Sequence, residues 1–288
     1  MSRPSDQAPT GRTDRILVRL REALADRYRV TRELGRGAMA TVFLADNLET
    51  GDQVAIKVLR PELAVALGPT RFHREIEILT RLRHPQIVQM LDSGEAKQLL
   101  YLVMPYVAGE NLRSRLQRDG PLPLPAVLSI AGDIAEAIDH AHLEGILHRD
   151  IKPENVLLVG DRALVCDFGL ARALDRAAVE PLSSSGLVLG TPAYMSPEQA
   201  MGLPEITGAC DVYALGCVIF EMLTGELPFT GPTAQAVIAR HLLEPPRSIR
   251  VVRPDLTERV DAAVVAALSK EPEARPGSGG ELVRRLAG

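Results

Sequence analysis

The spacing of the apolar residues changes once along this chain, at the stretch AGENL that ends at Leu112, and this limits the folds open to it. From Tyr28 to Pro105 the texture is that of short strands: YRVTREL, ATVFLA, VAIKVL with its β-branched run, IVQML and LLYLVM, divided by turn formers such as DNLETGDQ. One stretch breaks the pattern. In RFHREIEILTRL, Phe72, Ile76, Leu79 and Leu82 recur at helical spacing and form one face. Beyond AGENL come long helical patterns, VLSIAGDIAEAIDHAHLEG, DVYALGCVIFEMLTG and RVDAAVVAALSK, each apolar enough to be buried. The expectation is an α+β chain of two lobes: a small antiparallel β-sheet with one main helix over 28–106, and a larger α-helical lobe over 107–288.

The first dozen residues are polar and rich in turn formers and read as a flexible arm. Ile16, Leu17, Leu20 and Leu24 then mark a short amphipathic helix, so residues 1–27 are expected to precede the domain proper. The chain has 288 residues, 46% apolar and 24% charged, the balance of a globular protein with a core. A formal net charge of −4 offers no basic footprint for nucleic-acid phosphates, so no nucleic-acid partner is expected. Cys166, Cys210 and Cys217 are odd in number and lack CxxC spacing, and they read as reduced core thiols. No apolar run is long enough to span a bilayer and no signal peptide is visible, so the chain reads as soluble and cytoplasmic.

Chemistry-bearing residues follow in order. Gly35 and Gly37 lie in LGRGAMATVFLA between two strands, as a hairpin lid; a G-x-G alone is also what an ordinary turn looks like. Lys57 ends VAIK, either as a surface lysine with a buried stem or as a cation aimed inward, with Glu75 on the following helix as its partner. The string HRDIKPEN is far more specific. Asp150, Lys152 and Asn155 supply a carboxylate, an ammonium and a carboxamide on one loop, the set that phosphoryl transfer needs as proton acceptor, γ-phosphate contact and metal ligand. Asp167-Phe168-Gly169 follows two strands later, and VEPLSSSGLVLGTPAYMSPE reads as a long surface loop, which in a compact domain is usually functional.

Taken in order, Gly35/Gly37, VAIK, Glu75, HRDIKPEN, DFG and Ser196-Pro197-Glu198 resemble the signature set of the protein kinases, most closely the bacterial eukaryotic-like serine/threonine kinases. The resemblance runs from Tyr28 to the C-terminus and implies the bilobal protein kinase fold. It implies a lid from Gly35 to Thr41 over the phosphates of ATP, Lys57 on the α- and β-phosphates, and Glu75 holding Lys57. Adenine would lie between Leu34, Val42 and Ala55 on one side and Leu157 on the other, with Met104 as gatekeeper and the backbone of Pro105 and Val107 at its edge. Asp150 would accept the substrate proton, and Asn155 and Asp167 would hold Mg²⁺ or Mn²⁺. Lys152 would touch the γ-phosphate, and with Thr191 it resembles the serine/threonine branch.

By the same resemblance Glu198 pairs with Arg275, Asp211 braces the HRD backbone, and Met90, Leu79, His148 and Phe168 form a stacked spine. Ala40 stands where a third glycine often occurs and would stiffen the lid, since alanine takes φ > 0 only at a cost. Ser196 replaces the alanine of A-P-E; neither departure is expected to touch the metal or proton chemistry. Arg149 beside Asp150 invites a phosphate that orders the long loop, with Ser183 and Ser185 as candidates for autophosphorylation. Protein substrates and a homodimer for autophosphorylation are the implied partners. The chain could be the cytosolic part of a longer, membrane-anchored receptor kinase. Two rival readings fit the motifs less well. A pseudokinase would have lost Lys57, Asp150 or Asp167, and a small-molecule kinase usually lacks the SPE segment and the Glu198/Arg275 arrangement.

Overall fold

The computed structural model of the chain describes residues 12–37, 39–168 and 192–288, and the side chains of residues 12–15, 71 and 75 are not among those described. Two compact units form. The first runs to Thr80 and resumes over Met90–Tyr106, and the second holds Arg81–Gln89 and Val107–Gly288.

In the first unit β1 (Tyr28–Arg36), β2 (Ala40–Asn47), β3 (Gln53–Leu59), β4 (Asp92–Ala96) and β5 (Leu99–Pro105) form an antiparallel sheet in the order β1-β2-β3-β5-β4. Alternation sends Val54, Ile56 and Val58 of β3 to one face, with Phe43 and Ala45 of β2 and Tyr101 and Val103 of β5. That face is covered by α1 (Arg12–Ala23), whose Leu20 and the following Leu24 are buried in the same cluster. Burying two leucines contributes about 3–6 kcal/mol, so this segment is part of the core and does not merely lead into the domain. Its polar side grips the sheet as well: the Arg21 guanidinium donates to the carbonyls of Val30 (2.9 Å) and Thr31 (2.6 Å). Arg19 donates to the Lys97 carbonyl and Glu22 pairs with the Lys97 ammonium. Lys97 and Gln98 form the β4–β5 turn with φ of 49° and 61°, the left-handed pair of a two-residue hairpin without its usual glycine.

The helical stretch of this unit is two helices, α2 (Pro61–Leu67) and α3 (Pro69–Leu79), where the sequence suggested one. Pro61 and Pro69 start them, and Gly68 ends α2 at φ 70°, a conformation cheap only for glycine. Phe72, Ile76, Leu79 and Leu82 are all buried.

The second unit has a small sheet of β6 (Glu110–Asn111), β7 (Val156–Val159) and β8 (Arg162–Val165) and the helices α4 (Leu112–Asp119), α5 (Leu124–Leu143), α6 (Pro197–Ala200), α7 (Ala209–Thr224), α8 (Ala234–Leu243), α9 (Glu258–Ala267) and α10 (Gly279–Ala287). Helix α7 is buried from Cys210 to Thr224. At Gly216 a Cβ would come within 2.8 Å of the Ala267 methyl, so the close packing of α7 on α9 depends on that glycine. Residues 81–89, read from the sequence as part of the strand-rich half, belong to this unit. The Val88 N–H donates to the Val165 carbonyl (2.9 Å) and the Val165 N–H to that of Gln86 (2.8 Å). No helix among the described residues is long and apolar enough to cross a membrane.

Candidate active site

The HRDIKPEN segment leaves α5, passes through a 3₁₀ turn at Pro153–Asn155 and enters β7. The turn folds the loop back on itself. The Lys152 ammonium lies 2.6 Å from Asp150 Oδ2, and the Asn155 side-chain amide donates to the Asp150 carbonyl (2.8 Å) and to Oδ2 (3.1 Å). Asn155 is buried, while Asp150 and Lys152 are half-buried, so the cluster is held from beneath and open at its tip. The Cys166 N–H donates to the Asn155 carbonyl (2.9 Å), which ties the end of β8, and Asp167 after it, to the same turn.

His148 is a satisfied core histidine. Its Nδ1 accepts the Asp150 N–H (3.2 Å), its Nε2 donates to the Cys166 carbonyl (2.8 Å), and Phe168 packs edge-on at 4.5 Å. With Nδ1 accepting and Nε2 donating, both ring nitrogens are engaged within the core. Two residues here adopt positive φ without being glycine: Arg149 at 67° and Asp167 at 70°. Such backbone costs about 1–2 kcal/mol per residue and persists only where its surroundings over-determine it. At Arg149 they do. Its N–H is taken by Asp211 Oδ1 at 2.7 Å, and its carbonyl by the side-chain amide of Gln199 at 2.8 Å.

Asp211, on the first turn of α7, is fully buried. It also accepts the His148 N–H (2.8 Å) and meets His142 Nε2 (2.8 Å). Burial works against its charge, but the hydrogen bond and charge of His142, together with His148 and its amide, outweigh that and hold the carboxyl below its ordinary value. Glu198 and Arg275 form a bidentate pair at 2.7 and 2.8 Å with both side chains buried. Arg275 also donates to the carbonyls of Ser269, Ala209 and Lys270, so its whole donor fork is used.

The family model of the protein kinase domain matches residues 28–280. The chain belongs to the protein kinase domain family. It is 40% identical over 267 residues to the serine/threonine-protein kinase PknB of Mycolicibacterium smegmatis, a match covering 90% of this chain and 42% of that protein. The chain therefore spans less than half the length of that relative. The PknI kinase domain of Mycobacterium tuberculosis, a solved structure, is similar with a TM-score of 0.72 at 32% identity, covering 90% of this chain and 94% of that one. Rad53 in complex with AMP-PNP is similar with a TM-score of 0.76 at 25% identity, over 95% of this chain and 69% of that one. Within the family this kinase domain falls among the bacterial eukaryotic-like serine/threonine kinases.

In the kinase domain's first unit, Val42, Lys57 and Leu102 lie opposite one another across β2, β3 and β5, as do Leu44, Ala55 and Met104. Register thus puts Val42, Ala55, Lys57 and Met104 on the face away from the α1 cluster. Leu34 and Gly35 lie in β1, and Pro105 pairs with Val54 at the end of β5. Val107 opens the second unit, where Leu157 sits in β7 opposite Leu164. Met90 and Leu79 belong to the first unit, His148 and Phe168 to the second.

Neither Gly35 nor Gly37 has positive φ, and a Cβ at Gly35 would meet nothing within 4 Å. Backbone strain therefore does not require these glycines. Ala40 is an ordinary β2 residue paired with Leu59, so the expected cost of alanine in the lid does not arise. The side chain of Glu75, and Ser183, Ser185 and Thr191, lie outside the described residues.

Sequence reasoning passed over three groups. His142 braces Asp211. Arg113 of α4 pairs with Glu154 (2.8 Å), inside HRDIKPEN, and also with Glu221 of α7 and the Tyr194 hydroxyl. Burial opposes the charge of Arg113, yet the hydrogen bonds that it donates to Glu221 and Glu154 raise its pKa further. Gln199 is the third group, and it is the partner of Ser196. The Ser196 N–H and hydroxyl both reach Gln199 Oε1 at 3.1 Å, so this departure from A-P-E contacts a residue bonded to the catalytic loop. The S-x-x-Q spacing was a legible capping signal, but the Arg149 carbonyl 50 positions upstream was not.

Proposed function

We infer that this chain is a serine/threonine protein kinase catalytic domain that moves the γ-phosphate of Mg·ATP onto serine or threonine hydroxyls of proteins. The observation that carries the reading is the convergence of Lys152 and Asn155 on Asp150. Asp150 orients the hydroxyl and accepts its proton, and Lys152, already within reach of the same carboxylate, contacts the γ-phosphate. Lys57, presented by β3 among apolar neighbours, contacts the α- and β-phosphates. Leu34, Val42, Ala55, Met104 and Leu157 are the apolar contacts of adenine, and Pro105 and Val107 offer it their backbone. The AMP-PNP complex of Rad53 supports a nucleoside triphosphate as donor.

The donor set fits a hard divalent cation. The Asn155 amide nitrogen is committed to Asp150, leaving its carboxamide oxygen, and the Asp167 carboxylate follows on a backbone tied to the same turn. Mg²⁺, or Mn²⁺ in its place, would neutralise charge on the phosphates when bound there. Glu75 as partner of Lys57, Thr191 as a substrate-loop contact, autophosphorylation at Ser183 or Ser185, pairing of two copies for that step, and a cytoplasmic site of action complete the reading.

Labelled ATP with Mg²⁺ and a generic protein substrate tests it. The wild-type chain should incorporate label, and Asp150→Asn and Lys57→Met should each lose at least about 100-fold. Equal incorporation by all three would overturn the assigned roles. Mass spectrometry of fully active enzyme with an unmodified loop would remove autophosphorylation from the account.

A further inference from the structure

We propose that Gln199 is a positioning residue for catalysis, which locks the peptide plane between Arg149 and Asp150 and so sets the direction of the Asp150 carboxylate. The inference rests on the kinase reading above. Its starting point is the left-handed backbone of Arg149, at φ 67°. A residue with a Cβ stays in that region only at a cost, which its surroundings must offset. The peptide before Arg149 is fixed through its N–H, which Asp211 accepts at 2.7 Å. The peptide after it, shared with Asp150, is fixed through both of its polar atoms. Its carbonyl accepts the Gln199 side-chain N–H at 2.8 Å, and its N–H donates to His148 Nδ1 at 3.2 Å.

The bond to His148 is the longer of the two, so the Gln199 bond is the firmer hold on that plane. Gln199 is itself aimed. Its Oε1 accepts from both the N–H and the hydroxyl of Ser196 at 3.1 Å, while its own N–H lies 3.4 Å from Ser196 Oγ. With the oxygen end held by Ser196, the amide can present only its nitrogen to Arg149. The capping box of α6 is thereby also a clamp on the loop that carries Asp150.

Capping and clamping can be separated. In Gln199→Glu a carboxylate oxygen still accepts from Ser196, as glutamate does in ordinary capping boxes, but the other oxygen faces the Arg149 carbonyl and cannot donate. In Gln199→Met both bonds are lost. Ser196→Ala keeps the donor and loses part of its aim.

Wild type and Asp150→Asn are compared first, since absence of transfer by wild type defeats the kinase reading itself and with it this role. Relative to wild type, Gln199→Glu should lower kcat by tenfold or more, with KM for ATP within about twofold and Tm nearly unchanged. Gln199→Met should lower kcat as much and Tm as well, and Ser196→Ala should fall between. An independent readout is the NMR carbonyl ¹³C shift of Arg149 and the amide shift of Asp150. Both should move in Gln199→Glu, while the ring signals of His241 stay in place. Wild-type kcat in folded Gln199→Glu, or unmoved Arg149 and Asp150 signals in either Gln199 variant, would overturn the proposal. So would a kcat loss matched by the fraction unfolded.

Discussion

Asp211 holds the N–H of Arg149 at 2.7 Å from a fully buried position on α7, 62 residues away in the chain. A buried carboxylate that accepts two backbone amides stabilises both the fold and a strained turn, since each charge-assisted bond contributes about 1.5–3 kcal/mol. Asp211→Asn keeps the shape, removes the charge and turns one acceptor into a donor facing an N–H. It should cost about 3 kcal/mol in urea unfolding and lower turnover by about 100-fold, because Asp150 loses its fixed neighbour. Unchanged turnover in a destabilised protein would separate the brace from catalysis.

Glu198 and Arg275 are buried with their charges matched by two short bonds. Removing one partner strands the other: Arg275→Met should cost about 3–5 kcal/mol. The double variant Glu198→Leu with Arg275→Met should recover much of that loss, because no charge is then left behind. A double-mutant cycle by denaturant unfolding measures the difference, and additive losses would show that the pair is not the source of the cost.

Arg113 is the only cation bonded to both Glu154 and Glu221 among the described residues. Arg113→Met leaves Glu221, which is buried on α7, without a counter-charge and should cost about 2 kcal/mol. Glu154 stands between Pro153 and Asn155, so turnover should fall together with the stability of the 3₁₀ turn. Hydrogen exchange at the Asn155 and Cys166 amides would report that loosening, and unaltered exchange would confine Arg113 to stability alone.

His241 fixes a pH dependence. Burial, with the charge of Lys270 behind it, pushes its pKa down to about 4, and the ring packs at a tilt against Tyr213 and Phe229 with Nδ1 2.8 Å from the Tyr213 hydroxyl. In the unfolded chain the group takes its proton near pH 6.5, but in the folded chain only near pH 4. The unfolded state binds more protons across that window, so stability falls as pH drops from about 6.5 to 4 and levels off below. The loss is on the order of 3 kcal/mol. Denaturant midpoints at pH 7.5, 5.5 and 4.5 should show it, and His241→Phe should flatten the profile while lowering the plateau, since the Tyr213 hydroxyl loses its partner.

Much of the catalytic loop was legible because its partners are close in the chain. Asp150, Lys152 and Asn155 lie within six positions, and a proline-started 3₁₀ turn lies between the first and the last of them. The strands β1, β2, β3 and β5 were equally plain, because alternation is a local property and one face must be buried; IVQML, read as a strand, is not one, and β4 begins only after it, at Asp92. What the pattern missed depends on packing. The amphipathic α1 could have lain free or covered a sheet face, and only the apolar cluster around Leu20 and Leu24 decides that it covers one. The two-helix break at Gly68 was written in the Gly68-Pro69 pair, and what the pattern missed was the short helix before it, Pro61–Leu67.

By itself, then, the sequence determined the family, the order of elements and the residue types at the chemical centre, all of which follow from local spacing. Tertiary structure alone decided how that centre is aimed. Arg149 stays in left-handed backbone because Asp211, 62 positions later, and Gln199, 50 positions later, take its two peptide groups. No local rule favours arginine at positive φ, and the energy that holds it there comes from bonds that exist only once α6 and α7 have packed against the loop.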